Sequence, residues 1–397
     1  VTAGNRPRGA GRRQVLAVLG DHGAQTRLEL AGRTGLSASA VSAACSDLLL
    51  AGLVRDEPDE SVGTRRGRGR PAYRVSLVPP SGPLLGVDIG NTHVRVAVGD
   101  VTGRVLAEGA VALDDAAHPE TALDRAGSLT SRVVAEAGHD LDDLRLAVLG
   151  VPAPLTEQGH AVAANNILPL WVGRRPGEEL GERLGVEVLM DNDANLGALG
   201  EQRTGAGADR PDGSLVYLKL ATGIGAGLVL GGRLFRGDGG TAGELGHVQV
   251  DPAGVLCRCG SRGCLETVVS LPHLLHAVGA VTDGPLDADG LGALVADGHS
   301  GAIRVVADAG RTVGQVLASL VTVLNPGLLV VGGHVRPLTE LLAEHVRAAV
   351  GWWAQPAAAA RVEVRASALG ARAEVMGALA LAGEEMTARH RAELTAM

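Results

Sequence analysis

Three cysteines within the stretch Cys257-Arg258-Cys259-Gly260-Ser261-Arg262-Gly263-Cys264 constrain this chain more than any other feature of it. His247 stands ten residues upstream of Cys257, in Gly243-Glu244-Leu245-Gly246-His247. A C-x-C-x4-C run with a histidine at that distance offers four soft ligands, His247, Cys257, Cys259 and Cys264, for a closed tetrahedral Zn2+ site. The competing use is a disulfide. A cluster of three disfavours it, and four cysteines in 397 residues do not make a disulfide framework. A structural zinc site is therefore expected, with the surrounding body folded around it.

The length leaves room for two or three domains, and 46% hydrophobic with 20% charged residues excludes wholesale disorder. Aromatics make up only 2%, so the cores must be built from Val, Leu, Ile and Ala. Lys219 is the only lysine. There is no apolar run of membrane-spanning length and no signal-peptide pattern at Val1 to Arg13, so a cytoplasmic protein with no membrane partner is expected. The charge is uneven. Residues 1–77 carry 12 arginines and 7 acids, net +5, in a chain of net −8. A basic front on an acidic body suits a DNA-binding module fused to a sensor or an enzyme.

Within that front, Arg12 to Gly20 and Thr26 to Arg33 read as two helices. Thr34-Gly35-Leu36-Ser37 then supplies a turn and a Ser N-cap, opening a third helix that runs to Ala51 and stops at Gly52. Two helices joined by a four-residue turn predict a helix-turn-helix. Val41, Cys45 and Leu48 fall on the inward face of the third helix, so Cys45 reads as core. Ser37, Ser39, Ser42, Ala43 and Ser46 form the face toward DNA, without Arg or Asn for bidentate base reading. Leu53 to Arg55 and Ala72 to Leu77 read as the strands of a wing. Between them Arg65, Arg66, Arg68 and Arg70, spaced by glycine, suit a narrow minor groove. Val78-Pro79-Pro80-Ser81-Gly82-Pro83 is a linker, so the boundaries are drawn as residues 1–77, 78–83 and 84–397.

The body repeats one design. Leu84 to Asp88 is an apolar strand followed by the turn around Gly90 and Thr92 and a second strand, Val94 to Val98. Leu215 to Leu220, the stretch Ala221 to Gly227 containing Thr222, Gly223 and Gly225, and Leu228 to Leu230 repeat it. Such turns let backbone N–H groups approach phosphate oxygens. Met190-Asp191-Asn192-Asp193-Ala194-Asn195 closes a strand with an Asp. Asp193 there is placed to take a proton from a sugar hydroxyl as general base, and Asp88 to hold Mg2+ through water. A helix N-cap is the alternative use of one of these residues.

GELGH, CRCGSRGCLE, DNDAN and the two glycine-bearing turns together resemble the ROK family of repressors, open reading frames and kinases, over residues 84–397. Asn325-Pro326 with Gly332-Gly333 resembles the family's adenosine-side loop. The resemblance implies an α/β, actin-like ATPase body of two RNase H-like lobes behind the winged helix-turn-helix. It implies sugar contacts from Asn192, Asp193, Glu244, His247, Glu266 and Asn166. It also implies zinc ligation by His247, Cys257, Cys259 and Cys264, and assembly as a homodimer or a dimer of dimers. The chain departs from the kinase pattern at Asn91, Ala153 and Ala221, each of which adds a side chain where the kinases have glycine. The expected function is a sugar-responsive DNA-binding regulator of carbohydrate metabolism that represses at an operator. An ATP- and Mg2+-dependent sugar kinase is the alternative.

Overall fold

The computed structural model describes residues 8–58, 73–113, 118–156, 162, 169–282 and 285–396. The chain divides into two compact units, one formed by residues 1–81 with 384–397 and the other by residues 82–383.

In the first unit α1 (Arg8–His22), β1 (Gln25–Thr26), α2 (Arg27–Thr34), α3 (Ala38–Leu50), β2 (Val54–Pro58) and β3 (Tyr73–Leu77) follow in order. The strands pair as β1-β3-β2, which is the sheet of a winged helix. Thr26 and Glu29 form a reciprocal capping box on α2, and Gly35 ends it in the left-handed conformation at φ 67°. Ser37 caps α3, its hydroxyl accepting from the Ala40 amide at 3.3 Å. Val15, Leu16, Leu19, Leu30, Val41, Cys45 and Leu48 make the core. Leu28, which shares its helix with Leu30, is 83% exposed. Leu394 belongs to the same core. The final residues, assigned to the body on sequence alone, therefore complete the first unit.

The second unit holds two sheets of matching design. The first lobe contains β4 (Leu84–Ile89), β5 (His93–Gly99), β6 (Val105–Ala112), α4 (Pro119–Glu136), β7 (Leu146–Val151), α5 (Pro176–Leu184) and β8 (Val188–Asn192), and α6 (Asp193–Thr204) leads out of it. The second lobe contains β9 (Leu215–Leu220), β10 (Ile224–Leu230), β11 (Arg233–Phe235), α7 (Glu266–Val269), α8 (Leu271–Gly279), α9 (Ala288–Ala296), α10 (Ser300–Leu324), β12 (Leu328–Gly332), α11 (Arg336–Trp353), α12 (Pro356–Ala359), β13 (Glu363–Ala366) and the start of α13 (Ala373–Ala396). The strand orders are β6-β5-β4-β7-β8 and β11-β10-β9-β12-β13. In both, two antiparallel pairings precede two parallel ones. β4 and β9 are thus equivalent central strands, buried along nearly their whole length as parallel sheets covered by helices require.

The duplication fixes the site. Asp88 pairs with Arg95 and Gly150 in the first sheet, and Lys219 pairs with Gly225 and Gly332 in the second. Both are penultimate residues of their strands, so the two lobes present an acid and a base from corresponding positions.

Candidate functional site

Four elements deliver ionisable groups to one place: β4 brings Asp88, the β8–α6 junction Asp193, β9 Lys219 and the start of α13 Glu374. The Lys219 ammonium donates to Asp193 Oδ2 at 2.7 Å and lies 3.1 Å from Glu374 Oε1. Glu374 also accepts from the buried Tyr217 hydroxyl at 3.2 Å. Asp88, with no exposed surface, has Oδ2 bonded to His93 Nε2 at 2.9 Å, while its buried Oδ1 has no hydrogen-bond partner among the described residues. Burial pushes the Asp88 carboxyl up, but the His93 hydrogen bond and the charges of Lys219, His93 and Arg95 outweigh it and hold it below the usual range. Burial likewise opposes the charge on Lys219, yet Asp193, Glu374 and Asp88 together keep the ammonium protonated. Burial raises Glu374 above the usual carboxylate range against the pull of Lys219, and Asp88 and Asp193 add to the rise. Sequence reasoning missed Lys219 and Glu374. The available signal was a lysine inside an otherwise apolar strand, which must find a countercharge.

Of the residues assigned to sugar, Asn192 is the N-cap of α6. Its Oδ1 accepts from the Ala194 and Asn195 amides at 2.9 and 3.3 Å, and its Nδ2 donates to the Ala153 carbonyl at 3.2 Å. One N–H of its amide remains for a ligand. Asp191 next to it is buried and bonded to Asn195 and Arg236. Glu266 opens α7 and accepts from the Ile224 amide at 3.1 Å. Burial raises the Glu244 carboxyl, His247 opposes, and the charges of Asp193 and Glu266 raise it further, which puts these three carboxylates in one neighbourhood. Asn166 lies outside the described residues, as do Arg65, Arg66, Arg68 and Arg70.

The cysteine cluster closes as expected. The ligand atoms of His247, Cys257, Cys259 and Cys264 all lie within 4.8 Å of one another. Cys257 Sγ is 3.6 Å from His247 Nδ1, and Cys259 Sγ is 3.7 Å from Cys264 Sγ. Tetrahedral ligation at ordinary Zn–S and Zn–N lengths requires about 3.8 Å between sulfurs and about 3.6 Å between sulfur and nitrogen, so the donor set fits a metal of that size. Gly263, at φ 61°, lets the chain turn against Asp251, whose carbonyl a Cβ would meet at 1.6 Å. His247 Nε2 faces Glu244 at 3.5 Å, so the residue that would hold the metal also positions a candidate sugar ligand.

The glycines assigned to nucleotide stand in close internal contacts. The second turn is only Ala221 to Gly223, holding Thr222, because strand β10 already begins at Ile224. Gly225 is a strand residue whose missing side chain admits Ala194, 2.9 Å from where its Cβ would stand. Gly332 ends β12 and makes room for Tyr217, with a hydroxyl 2.2 Å from its would-be Cβ. Gly90 admits the His93 ring in the same way, at 2.4 Å. Thr92 is exposed beside it, and Gly333, at φ 155°, packs against the Leu220 carbonyl. These glycines answer to internal packing, and the carboxylates suited to Mg2+ already hold His93 and Lys219. The residues present do not fit ATP–Mg2+.

At α3 Ser37, Ser39, Ser42, Ala43 and Ser46 are all exposed, while Val41, Cys45 and Leu48 are buried. Across Ser39, Ser42, Ala43 and Ser46 the exposed side chains are small, and Leu50, 89% exposed, follows at the C-terminal end of the same helix.

The ROK family profile matches residues 84–385, and a DprA winged helix domain profile matches residues 2–60. The chain belongs to the ROK family. It is 26% identical over 388 residues to a putative xylose repressor of Caldicellulosiruptor sp. (strain Rt8B.4), across 94% of this chain and 95% of that one. It is 32% identical over 319 residues to a glucokinase of Halalkalibacterium halodurans, across 74% of this chain and 92% of that one. A solved ROK family transcriptional regulator, a homolog of the E. coli MLC protein, superposes with a TM-score of 0.75 over 98% of both chains at 23% identity. That likeness bears on the fold: an actin-like ATPase body with an N-terminal winged helix. Among the described residues no helix is long and apolar enough to cross a membrane.

Proposed function

We propose that this ROK protein is a sugar-responsive DNA-binding transcriptional regulator of carbohydrate metabolism that acts as a repressor. The observation that carries this reading is coverage. The alignment with a relative named a repressor extends over 94% of the chain, winged helix included, whereas the glucokinase alignment covers 74%. In this account Ser37, Ser39, Ser42, Ala43 and Ser46 face the major groove of an operator, and Arg65, Arg66, Arg68 and Arg70 reach the minor groove. A homodimer working in the cytoplasm presents two such helices to a pseudo-palindrome. Asn192, Asp193, Glu244, His247 and Glu266, with Asn166, bind a sugar through paired hydrogen bonds. A structural Zn2+ on His247, Cys257, Cys259 and Cys264 fixes the loop that carries Glu244. The sugar acts by binding one conformation of the body more tightly than another.

The kinase alternative keeps one point in its favour, the presence of Asp193. Its Oδ2 is engaged by Lys219, however, so the carboxylate is occupied where a general base must be free to take a proton. Calorimetry with a panel of sugars, with and without ATP–Mg2+, separates the two. The regulator reading expects one sugar to bind with no phosphorylated product. Rapid phosphorylation that disappears in Asp193→Asn would overturn it.

A further inference from the structure

Asp88, Asp193 and Glu374 are each less than 10% exposed and converge from three separate elements. Carboxylates brought together out of water need a cation, and in phosphoryl-transfer sites the cation is a divalent metal that also carries the nucleotide. This chain supplies its own. Lys219, with a side chain only 13% exposed, is within ion-pair distance of Asp193 and Glu374 at 2.7 and 3.1 Å. It projects from the strand position in the second lobe that Asp88 occupies in the first. His93 Nε2 lies 2.9 Å from Asp88 Oδ2 and occupies that oxygen. No other lysine exists in a chain whose other basic residues, histidine aside, are all arginine. That choice suits the place: a compact ammonium reaches both Asp193 and Glu374 as a point charge.

We propose that the Lys219 ammonium is the permanent cation of the cleft, taking the charge-balancing role a divalent metal has in a phosphoryl-transfer site, so that the effector sugar binds without Mg2+ or nucleotide. The inference rests on the cleft being a binding site, as argued above, and adds what that site requires. Asp193, held by Lys219, serves as a fixed hydrogen-bond acceptor. Asp88 stays sequestered by His93.

The test uses zinc-loaded full-length protein and Mn2+ as the probe, followed by calorimetry and by the electron paramagnetic resonance of bound Mn2+. The parent protein is expected to show no saturable Mn2+ site in the cleft, and its sugar affinity to be the same with and without Mg2+. Lys219→Met is expected to gain at least about tenfold in Mn2+ affinity, and Asp88→Asn in that background to remove the gain. Lys219→Met with Glu374→Gln deletes one charge of each sign, and serves if the single variant does not fold. A parent that binds Mn2+ through Asp88 overturns the proposal, as does a folded double variant that binds Mn2+ no better than the parent. Failure of the regulator reading looks different: the parent would bind no sugar, or sugar would leave DNA affinity unchanged, whatever the Mn2+ result.

Discussion

Leu394 lies more than three hundred residues beyond the winged helix in sequence and yet is 2% exposed within its core, with Val15, Leu16, Leu30, Val41 and Leu48. His390 Nε2 lies 3.1 Å from the Val78 carbonyl in the same unit. Leu394→Ala removes a fully buried side chain from a small core with little capacity to collapse around the cavity. Such truncations cost about 2–5 kcal/mol, a large part of the roughly 5–15 kcal/mol that holds a domain folded. Taking about 3 kcal/mol, amide protection that depends on global opening of this unit falls by about a hundredfold. Hydrogen exchange read by mass spectrometry resolves this by region. Peptides from α1 and α3 are expected to exchange about a hundredfold faster in the variant, while those from β4, β9 and β12 keep their rates. Unchanged protection in α1 and α3 would refute the assignment of the C-terminal residues to the winged-helix core. Equal loss throughout the chain would refute the division into two units.

Metal analysis of protein purified without chelator is expected to find one zinc per chain, and chelation or Cys257→Ser to lower the melting temperature and abolish the sugar response. A site held at a thousand times its Kd contributes about 4 kcal/mol, so an unchanged melting temperature counts against a structural metal. Asn192→Ala removes the α6 cap at a cost of about 1 kcal/mol and weakens sugar binding, to be read from denaturant midpoints and calorimetry. Replacing Arg65, Arg66, Arg68 and Arg70 by Ala is expected to weaken DNA binding and flatten its salt dependence, and an unaltered salt slope contradicts the wing assignment. Asp88 is held below the usual carboxylate range, so its stabilising contribution is present above the unfolded-state pKa and lost as pH falls through the folded one. Asp88→Asn should accordingly flatten the acid limb of stability against pH, and an identical acid limb would show that the His93–Asp88 pair contributes nothing.

Much of this architecture is legible in the residues. Ser37 as a cap, Gly52 after the third helix and the strand–turn–strand pattern at Asp88 each rest on local chemistry that the fold preserves. The His247, Cys257, Cys259 and Cys264 cluster is legible because cysteine spacing encodes its own geometry. Local pattern carries less about the glycines. Gly90, Gly225 and Gly332 read as places for phosphate, and they also admit His93, Ala194 and Tyr217, close contacts that only the tertiary structure reveals. Leu394 escapes local pattern for a different reason: it is a lone apolar residue in the polar last turns of α13 and gives no period. Lys219 stands out in the sequence as the only lysine, but its partners come from three distant elements, and no local rule assembles them.

The most direct test of the central claim is selection of genomic DNA fragments by the zinc-loaded protein, followed by titration of the best fragment in the presence of each member of a sugar panel. The expected result is a fragment with two half-sites about one helical turn apart, and one sugar that changes the affinity for it by about fivefold or more. It would be contradicted by an affinity identical with every sugar in the panel, or by binding no tighter than to unrelated DNA of the same length.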